Sequence, residues 1–443
     1  MKAYAALILL IVIGIVLSAV GMTADLPYSR VSTEVEQVNF ALKFGSGDFN
    51  PHYFIHPPFF AYVLFLFYGF FFIMGKILFF FKSVSDFELL YFRDPAVFYV
   101  IARFIVLFLF GAGVYLLFKI AKGLLDKRTA LLACIFMVFS PVFIISSHYA
   151  SSDIPMFFVS LCSFYFIYRV LYYGETRDYF WAAILVGLAA ATKYNAVTLV
   201  VPLVAAHLLR TDKKRLIKRI FDKKLALVFL VIILGFILGC PFSVLDYKGF
   251  LAQVFRQVGR MASKTYHFAS WRADKPGWAY ILTNAWPFGL SWPITILSIL
   301  SIFYALYRHK REDILLLSFI LASYALAGNW GIIKDRHYLH IYPFMFILSA
   351  QFIVDLFAKI KISQKRRLLL TSAVLIPLLL PAVIRIIKFD NLVCRKALVL
   401  EAKSWIENNI PADSKIAAMT GVALVSNKDS ILRKLKERNI GPQ

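Results

Sequence analysis

Acidic residues are scarce in this sequence: 25 Asp and Glu stand against 49 Lys and Arg, a net charge of +24 over 443 residues. Such an excess invites a nucleic-acid reading. The cations, however, sit in short loops between long apolar runs rather than on one face of a soluble domain, which excludes nucleic acid as the partner. Cysteine is nearly missing as well. Of four, Cys134, Cys162 and Cys240 lie in or beside apolar segments and Cys394 stands alone, so neither a disulfide framework nor a metal-ligand spacing is present. The sequence has no glycine-rich nucleotide loop of the Walker type, no GxSxG, no CxxC and no HExxH, which removes support for an ATP-driven or nucleotide-sugar cytoplasmic enzyme. Ten-residue alternating segments are absent, so the chain is not a β-barrel, and no internal repeat or low-complexity stretch is evident.

What is there is apolar surface. The chain is 60% hydrophobic and 17% aromatic, with a mean hydropathy of +0.72, well above a soluble domain. Runs of about 17–25 apolar residues, enough to cross a hydrocarbon core of about 30 Å, recur along its length. They fall near 3–21, 97–118, 129–147, 154–172, 179–192, 194–209, 225–241, 288–307, 313–329, 338–357 and 368–386. The expected fold is an all-α polytopic membrane protein. The N-terminal run, followed by Thr23-Ala24-Asp25, reads as a retained signal anchor because it is long enough to span and lacks a clear cleavage site.

The basic loops set the topology. Lys119-Lys122-Lys127-Arg128, the run 210–224, "RHKR" (308–311) and "KISQKRR" (361–367) should all be cytoplasmic. The segment 59–81 is apolar enough to span, but counting it as a span would push every basic loop after it to the outside. The charge rule therefore makes 59–81 an interfacial element within a first outer loop, 22–96. Pro57-Pro58, Gly69 and Gly75 are compatible with a broken, tilted helix. Eleven spans and an outside C-terminus follow. A membrane module over 1–387 is expected to precede a short extracytoplasmic tail, 388–443, with an amphipathic helix at 397–411 and a short strand and turn at 414–425.

On this topology the unusual ionisable residues gather on the outer face. Glu34 and Glu36 begin a helix expected over Val35–Phe44, with Ser32 or Thr33 as N-cap and Gly45 as stop; either glutamate is a helix-capping charge or a general base. The turn-rich "GSGDFNPHYFIHPP" returns His52 and His56 to the membrane surface as supporting groups. Asp153, with His148 five residues before it, sits at the outer junction of two spans, where a carboxylate is costly unless it is paired or hydrated. It is either an N-cap or a functional group. Lys193 interrupts "AAATKYNAV" and either snorkels or faces the outer cavity as an anion ligand. In "KDRHYLHIYPF" (334–344), Arg336, His337 and Tyr338 place cations and aromatics at the outer start of a span, against the usual charge bias. A lipid-linked phosphate is the anion they would suit. Arg103, within the second span, belongs with them; Arg256, Arg260 and Lys264 lie in a later outer loop.

The order of these segments resembles the polyprenyl-phosphate-sugar-dependent glycosyltransferases of the GT-C fold, nearest to the protein O-mannosyltransferase and aminoarabinose transferase relatives of family 39. The matching pieces are an acidic helix after the first span, "GSGDFNPHYFIHPP", an arginine in the second span, "SPVFIISSHYASSDIPMFF", "GLAAATKYNA" and "RHYLHIYPF". The resemblance covers roughly 1–360 and implies a GT-C bundle with a small outer α/β tail. It implies an Asp-Glu pair whose glutamate falls on Glu34, eleven residues before Gly45, while the aspartate that would be the base falls on Thr33. A threonine cannot take that proton at neutral pH, so Glu34, Glu36 or Asp153 would have to serve. The resemblance further places Arg103 on the lipid phosphate and paired with Glu34, Asp153 at the second acidic position, and Arg336, His337 and Tyr338 at the basic-aromatic step. The implied activity is transfer of a sugar, mannosyl-like, from a polyprenyl- or dolichyl-phosphate donor to a hydroxyl of a protein, lipid or glycan on the outer face. Arg103, Lys193 or Arg336 would stabilise the leaving phosphate. Some such enzymes use a divalent cation; the ligands here are too sparse to assign one. Two readings compete. A transporter or flippase would want paired repeats and discontinuous helices at mid-membrane. A catalytically inactive relative that binds the lipid-linked sugar would account for Thr33.

Overall fold

The computed structural model describes residues 2–27, 29, 31–210, 219, 222–262, 276–360, 363–395, 398–411 and 414. Among them the protein is all helix and loop. The first helices are α1 (Lys2–Ala19), α2 (Ser32–Lys43), α3 (Phe59–Ile77), α4 (Val84–Arg93), α5 (Ala96–Leu124), α6 (Lys127–Val138), α7 (Pro141–Ser147), α8 (Asp153–Tyr172) and α9 (Thr176–Thr192). A 3-10 turn, Tyr194–Leu199, leads into α10 (Val200–Leu208). Then come α11 (Lys223–Gly239), α12 (Tyr247–Ala262), α13 (Trp292–Arg308), α14 (Arg311–Gly328), α15 (Tyr342–Ala358) and α16 (Gln364–Val393). A last helix, Leu398–Asn409, matches the amphipathic segment expected before Pro411; the strand expected at 414–425 lies outside the described residues apart from Ser414.

Polar contacts fix which helix ends meet. At one end Lys122 Nζ donates to Tyr4 Oη at 3.1 Å, Tyr172 Oη donates to Glu312 at 2.6 Å, and Arg308 pairs with Asp313 and with Asp355, the latter at 2.7 Å. The loops at 119–128 and 308–311 sit at this basic end, as do the described parts of 210–224 and 361–367. At the other end the C-terminus of α1, the start of α5, the α7–α8 turn, Lys193 and the turn before α15 converge. α1, α5, the α6–α7 pair, α8, α9, α10 with its turn, α11, α13, α14, α15 and α16 each run from one end to the other. They correspond in sequence to the eleven apolar runs; by length and apolarity alone, four described helices, α3 among them, would cross a membrane, or five with the bent α6–α7 pair. Positive charge thus collects on one end and the mixed acid–base cluster on the other.

α3 is long and apolar enough to cross a membrane, yet it lies crosswise. Phe59, at its start, packs near Gly239 at the end of α11, while Tyr68, further along, donates its hydroxyl to the Phe98 carbonyl at 3.0 Å at the start of α5. Both neighbours belong to the site end, so the helix runs along that rim. Its outward residues Leu66, Phe70, Ile73 and Ile77 are exposed, as lipid contact at an interface requires. By length and apolarity alone this helix qualifies as a span; its contacts at both Phe59 and Tyr68 agree with the interfacial placement expected from the basic loops.

Two local features shape the core. Gly187 on α9 and Gly235 on α11 meet backbone to backbone: a Cβ on Gly187 would collide with the Ile232 carbonyl, and one on Gly235 with that of Ile184. Small residues at such a crossing let two membrane helices approach closely. Second, α6 and α7 form one pass bent by 61°, broken just before Pro141, whose ring removes a helical hydrogen bond. Boundaries otherwise differ from expectation mainly at the ends. α2 starts at Ser32, capped by Val31 without a side-chain bond, so neither Ser32 nor Thr33 is the N-cap. α5 (29 residues) and α16 (30 residues) extend well beyond their expected apolar cores.

Candidate functional site

Arg103, on α5, is 1% exposed and spends its whole guanidinium on protein. Nε and Nη2 donate to Glu34 at 2.8 and 2.6 Å, Nη1 donates to Asp25 at 2.9 Å and to the Met22 carbonyl, and the group stacks 5.3 Å from the Tyr149 ring. Glu34 is equally committed. Its oxygens also accept from the Ala150 amide at 2.8 Å and from the Ser29 hydroxyl. This buried triad ties the end of α1, the start of α2, α5 and the loop before α8 together. The pairing of Glu34 with Arg103 is as the resemblance implied. The two finer roles are not compatible with the geometry: Arg103 has no donor left for a lipid phosphate, and Glu34 has no free lone pair with which to act as a base.

Next to this triad opens a cavity of about 170 Å³, lined by Val31, Val142, Ile145, Ser146, Tyr149, Ser151, Asp153, Phe288, Asp335 and Arg336. Asp153 is the first residue of α8, not its cap, and is buried. It accepts from Ser151 Oγ at 3.0 Å and is ion-paired with Lys193, while Arg336 Nη1 lies 3.8 Å away. Lys193 therefore pairs inward rather than snorkelling. Arg336 is the looser cation: its side chain is 29% exposed, and among the described residues its one ion pair is the 3.8 Å contact with Asp153. An arginine with donors to spare beside an apolar wall can hold an oxyanion bidentately.

The 3-10 turn Asp335–Tyr338 carries the rest. Burial, then the Lys193 and Arg336 charges, push His337 well below the usual imidazole range, so it is neutral at pH 7. Lys334 is pushed down by burial and by the same two cations. Burial raises Asp335 above the ordinary carboxyl range, against the pull of its Arg336 neighbour. Tyr338 is 1% exposed, packed edge-on against Trp286 and tilted on Tyr342, which makes it part of the core instead of a ligand group.

Other expected groups lie apart. His56 Nδ1 and Glu36 Oε1 form a 2.9 Å pair between the α2 face and the following loop, away from the cavity lining. His52 is exposed and pairs with Asp48 at 2.9 Å, in a loop latched to α12 through Gln253. His148 is buried with its ring nitrogens 2.8 and 2.9 Å from the Ile144 and Val20 carbonyls, so it fastens α7 to α1. Arg256 and Arg260 lie on α12 outside the cavity lining, and Lys264 is outside the described residues. Asp25, Tyr149, Ser151 and Asp335 are the residues that sequence reasoning missed. Asp25 closed the first span and read as part of its boundary; Asp335 was masked by the cations around it. Among the described residues, no group of three or more His, Cys, Asp or Glu side chains converges on one point.

Residues 97–238 match the family described as dolichyl-phosphate-mannose-protein mannosyltransferase. No curated protein sequence matches the chain significantly. Among solved structures, ArnT of Cupriavidus metallidurans aligns in its apo state with a TM-score of 0.61 at 14% identity, covering 95% of this chain and 84% of that one. Its complex with undecaprenyl phosphate aligns at 0.60 and 14% identity, covering 97% and 87%. The oligosaccharyltransferase AglB of Archaeoglobus fulgidus, solved with an inhibitory peptide and a dolichol-phosphate, aligns at 0.59 and 13% identity, covering 93% of this chain. The chain spans only 58% of that archaeal protein's length. The protein is thus an integral membrane protein with the GT-C glycosyltransferase fold, and its residues 97–238 match the dolichyl-phosphate-mannose-protein mannosyltransferase family.

Proposed function

We propose that this protein transfers a sugar, mannosyl-like, from a polyprenyl- or dolichyl-phosphate donor to an acceptor hydroxyl of a protein, lipid or glycan, in the cavity beside Asp153 and on the extracytoplasmic side. The observation that carries the reading is Arg336: an incompletely paired guanidinium at a cavity with an apolar wall of Val31, Val142, Ile145 and Phe288, at the end opposite the basic loops. That combination suits a lipid phosphate, whose head is anionic and whose first isoprene units are greasy. The solved neighbours that bind undecaprenyl phosphate and dolichol-phosphate support the ligand class.

Chemically the step is a single displacement. The acceptor oxygen attacks the anomeric carbon, a cavity carboxylate takes its proton, and the phosphate departs with the bonding pair. Arg336 stabilises the charge that gathers on the leaving oxygen, while Asp153 fixes Arg336 and Lys193 in place. The reading requires no metal ion, because the cavity already supplies cations. The test is binding and turnover of polyprenyl-phosphate mannose by the purified protein in lipid nanodiscs. Arg336→Ala should weaken polyprenyl-phosphate binding at least about tenfold, the scale of a lost charge-assisted bidentate contact. Undiminished binding would remove this cavity as the donor site.

A second reading has its own support. Thr33 stands at the position of the resemblance's base and Glu34 is saturated, as expected of a protein that binds the lipid-linked sugar without transferring it. Donor binding with no release of lipid phosphate, under any acceptor tried, would favour it.

A further inference from the structure

We infer that Asp335 is the catalytic proton acceptor, the group that receives the acceptor hydroxyl's proton in the glycosyl transfer proposed above, on which this inference rests. Two carboxylates line the cavity, Asp153 and Asp335, and two more, Glu34 and Asp25, stand behind it on Arg103; their surroundings separate them. Glu34 accepts from Arg103, the Ala150 amide and Ser29 on both oxygens and is fully buried. Asp153 is held on one oxygen by Lys193 and on the other by Ser151, with Arg336 at 3.8 Å. Protonating either would strand buried cations, which is costly.

Asp335 differs on each count. It lines the same cavity, and among the described residues it has no ion pair and no side-chain hydrogen-bond partner; its near donors are the backbone amides of its own turn. Its backbone is nevertheless fixed, since the Asp335 carbonyl accepts from Tyr342 Oη at 3.0 Å and a methyl group on Gly289 would lie 3.3 Å from Asp335 Cβ. Burial raises its proton affinity, so it is a stronger base than an exposed carboxylate. It also precedes Arg336 in a 3-10 turn, where consecutive side chains project about 120° apart. One turn can therefore present the leaving-group cation on one side of the cavity and the base on another, as a displacement with attack opposite departure demands.

The step balances. The acceptor oxygen bonds to the anomeric carbon with its own electron pair, and its proton passes to an Asp335 carboxylate oxygen. The bond from that carbon to the lipid-phosphate oxygen breaks, its pair leaving on the phosphate beside Arg336. The proton is later lost to water.

The test uses the full-length protein in nanodiscs, with polyprenyl-phosphate mannose as donor, n-octyl mannoside as acceptor probe, and release of polyprenyl phosphate as the common readout. Asp335→Asn should lower kcat by roughly a hundredfold or more, the usual contribution of a positioned base, while polyprenyl-phosphate affinity stays within about threefold of wild type. Asp335→Ala should regain part of its kcat on addition of formate or azide, which a merely structural residue would not show, and its retained lipid-phosphate binding reports that it folds. An Asp335→Asn protein that keeps its kcat overturns the assignment, as does a kcat loss confined to Asp153→Asn. A wild-type protein that neither binds polyprenyl phosphate nor releases it from the donor overturns the glycosyl-transfer reading itself, and this inference with it.

Discussion

Arg103 is the residue on which most elements of the site end depend. Its positive charge is buried with two carboxylates, Asp25 and Glu34, from separate segments. Arg103→Ala strips both buried acids of the arginine's charge, a loss on the order of 3–5 kcal/mol. The expected outcome is a marked fall in thermal midpoint and in folded yield from the membrane, read by fluorescence size-exclusion and thermal denaturation. Arg103→Lys should recover only a part, because an ammonium cannot supply the fork that Glu34 and Asp25 share. The pairing of Glu34 with Arg103 was readable from the order of motifs. Asp25 was not, since no local rule says that the last acid of a membrane anchor will fold back on an arginine 78 positions later. Asp335 escaped for a related reason: charge counting along the chain sees its cationic neighbours, whereas what sets it apart is that among the described residues no side chain pairs with it.

At the level of elements, α3 and the α9–α11 pair make opposite demands on sequence reading. α3 was placed by the consistency of the basic loops, against its own length and apolarity. Single cysteines at Leu66 and Ile73, spin-labelled in bilayers, should report similar depths near one interface; depths differing by about 10 Å, the rise of seven helical residues, would mean that the helix spans. The contact of Gly187 with Gly235 was not legible, because glycine in an apolar run carries no sign of which face meets a neighbour. Gly235→Leu drives a side chain into the Ile184 carbonyl and should separate α9 from α11, lowering the thermal midpoint by several degrees while Gly69→Leu, where open space surrounds the site, leaves it nearly unchanged.

For the whole molecule, the division of charge between two ends is the property from which sidedness follows. Cysteines introduced at Asp126 and at His309, both at the basic end, should be labelled by a membrane-impermeant maleimide only from the cytoplasmic side, and one at Asp48 only from the opposite side. Labelling of Asp48→Cys and His309→Cys from the same side would separate the cavity from the extracytoplasmic space. This arrangement was legible in advance because loop charge is a one-dimensional signal that the membrane converts into geometry. The cavity was not, because it depends on side chains brought from α7, α8, the short helix Trp286–Leu290 and the Asp335 turn.

The lying-down posture of α7 sets how deep a visiting headgroup must sink. Its 7 residues would climb about 10 Å if they carried on in line with α6; tipped by 61°, they gain only about half that height. Val142, Ile145 and Ser146 of this helix line the cavity, and the end of the pass lies roughly 5 Å short of where an unbroken helix would have ended. In the donor complex proposed above, a phosphate held against α7 would leave its isoprenoid tail within the leaflet.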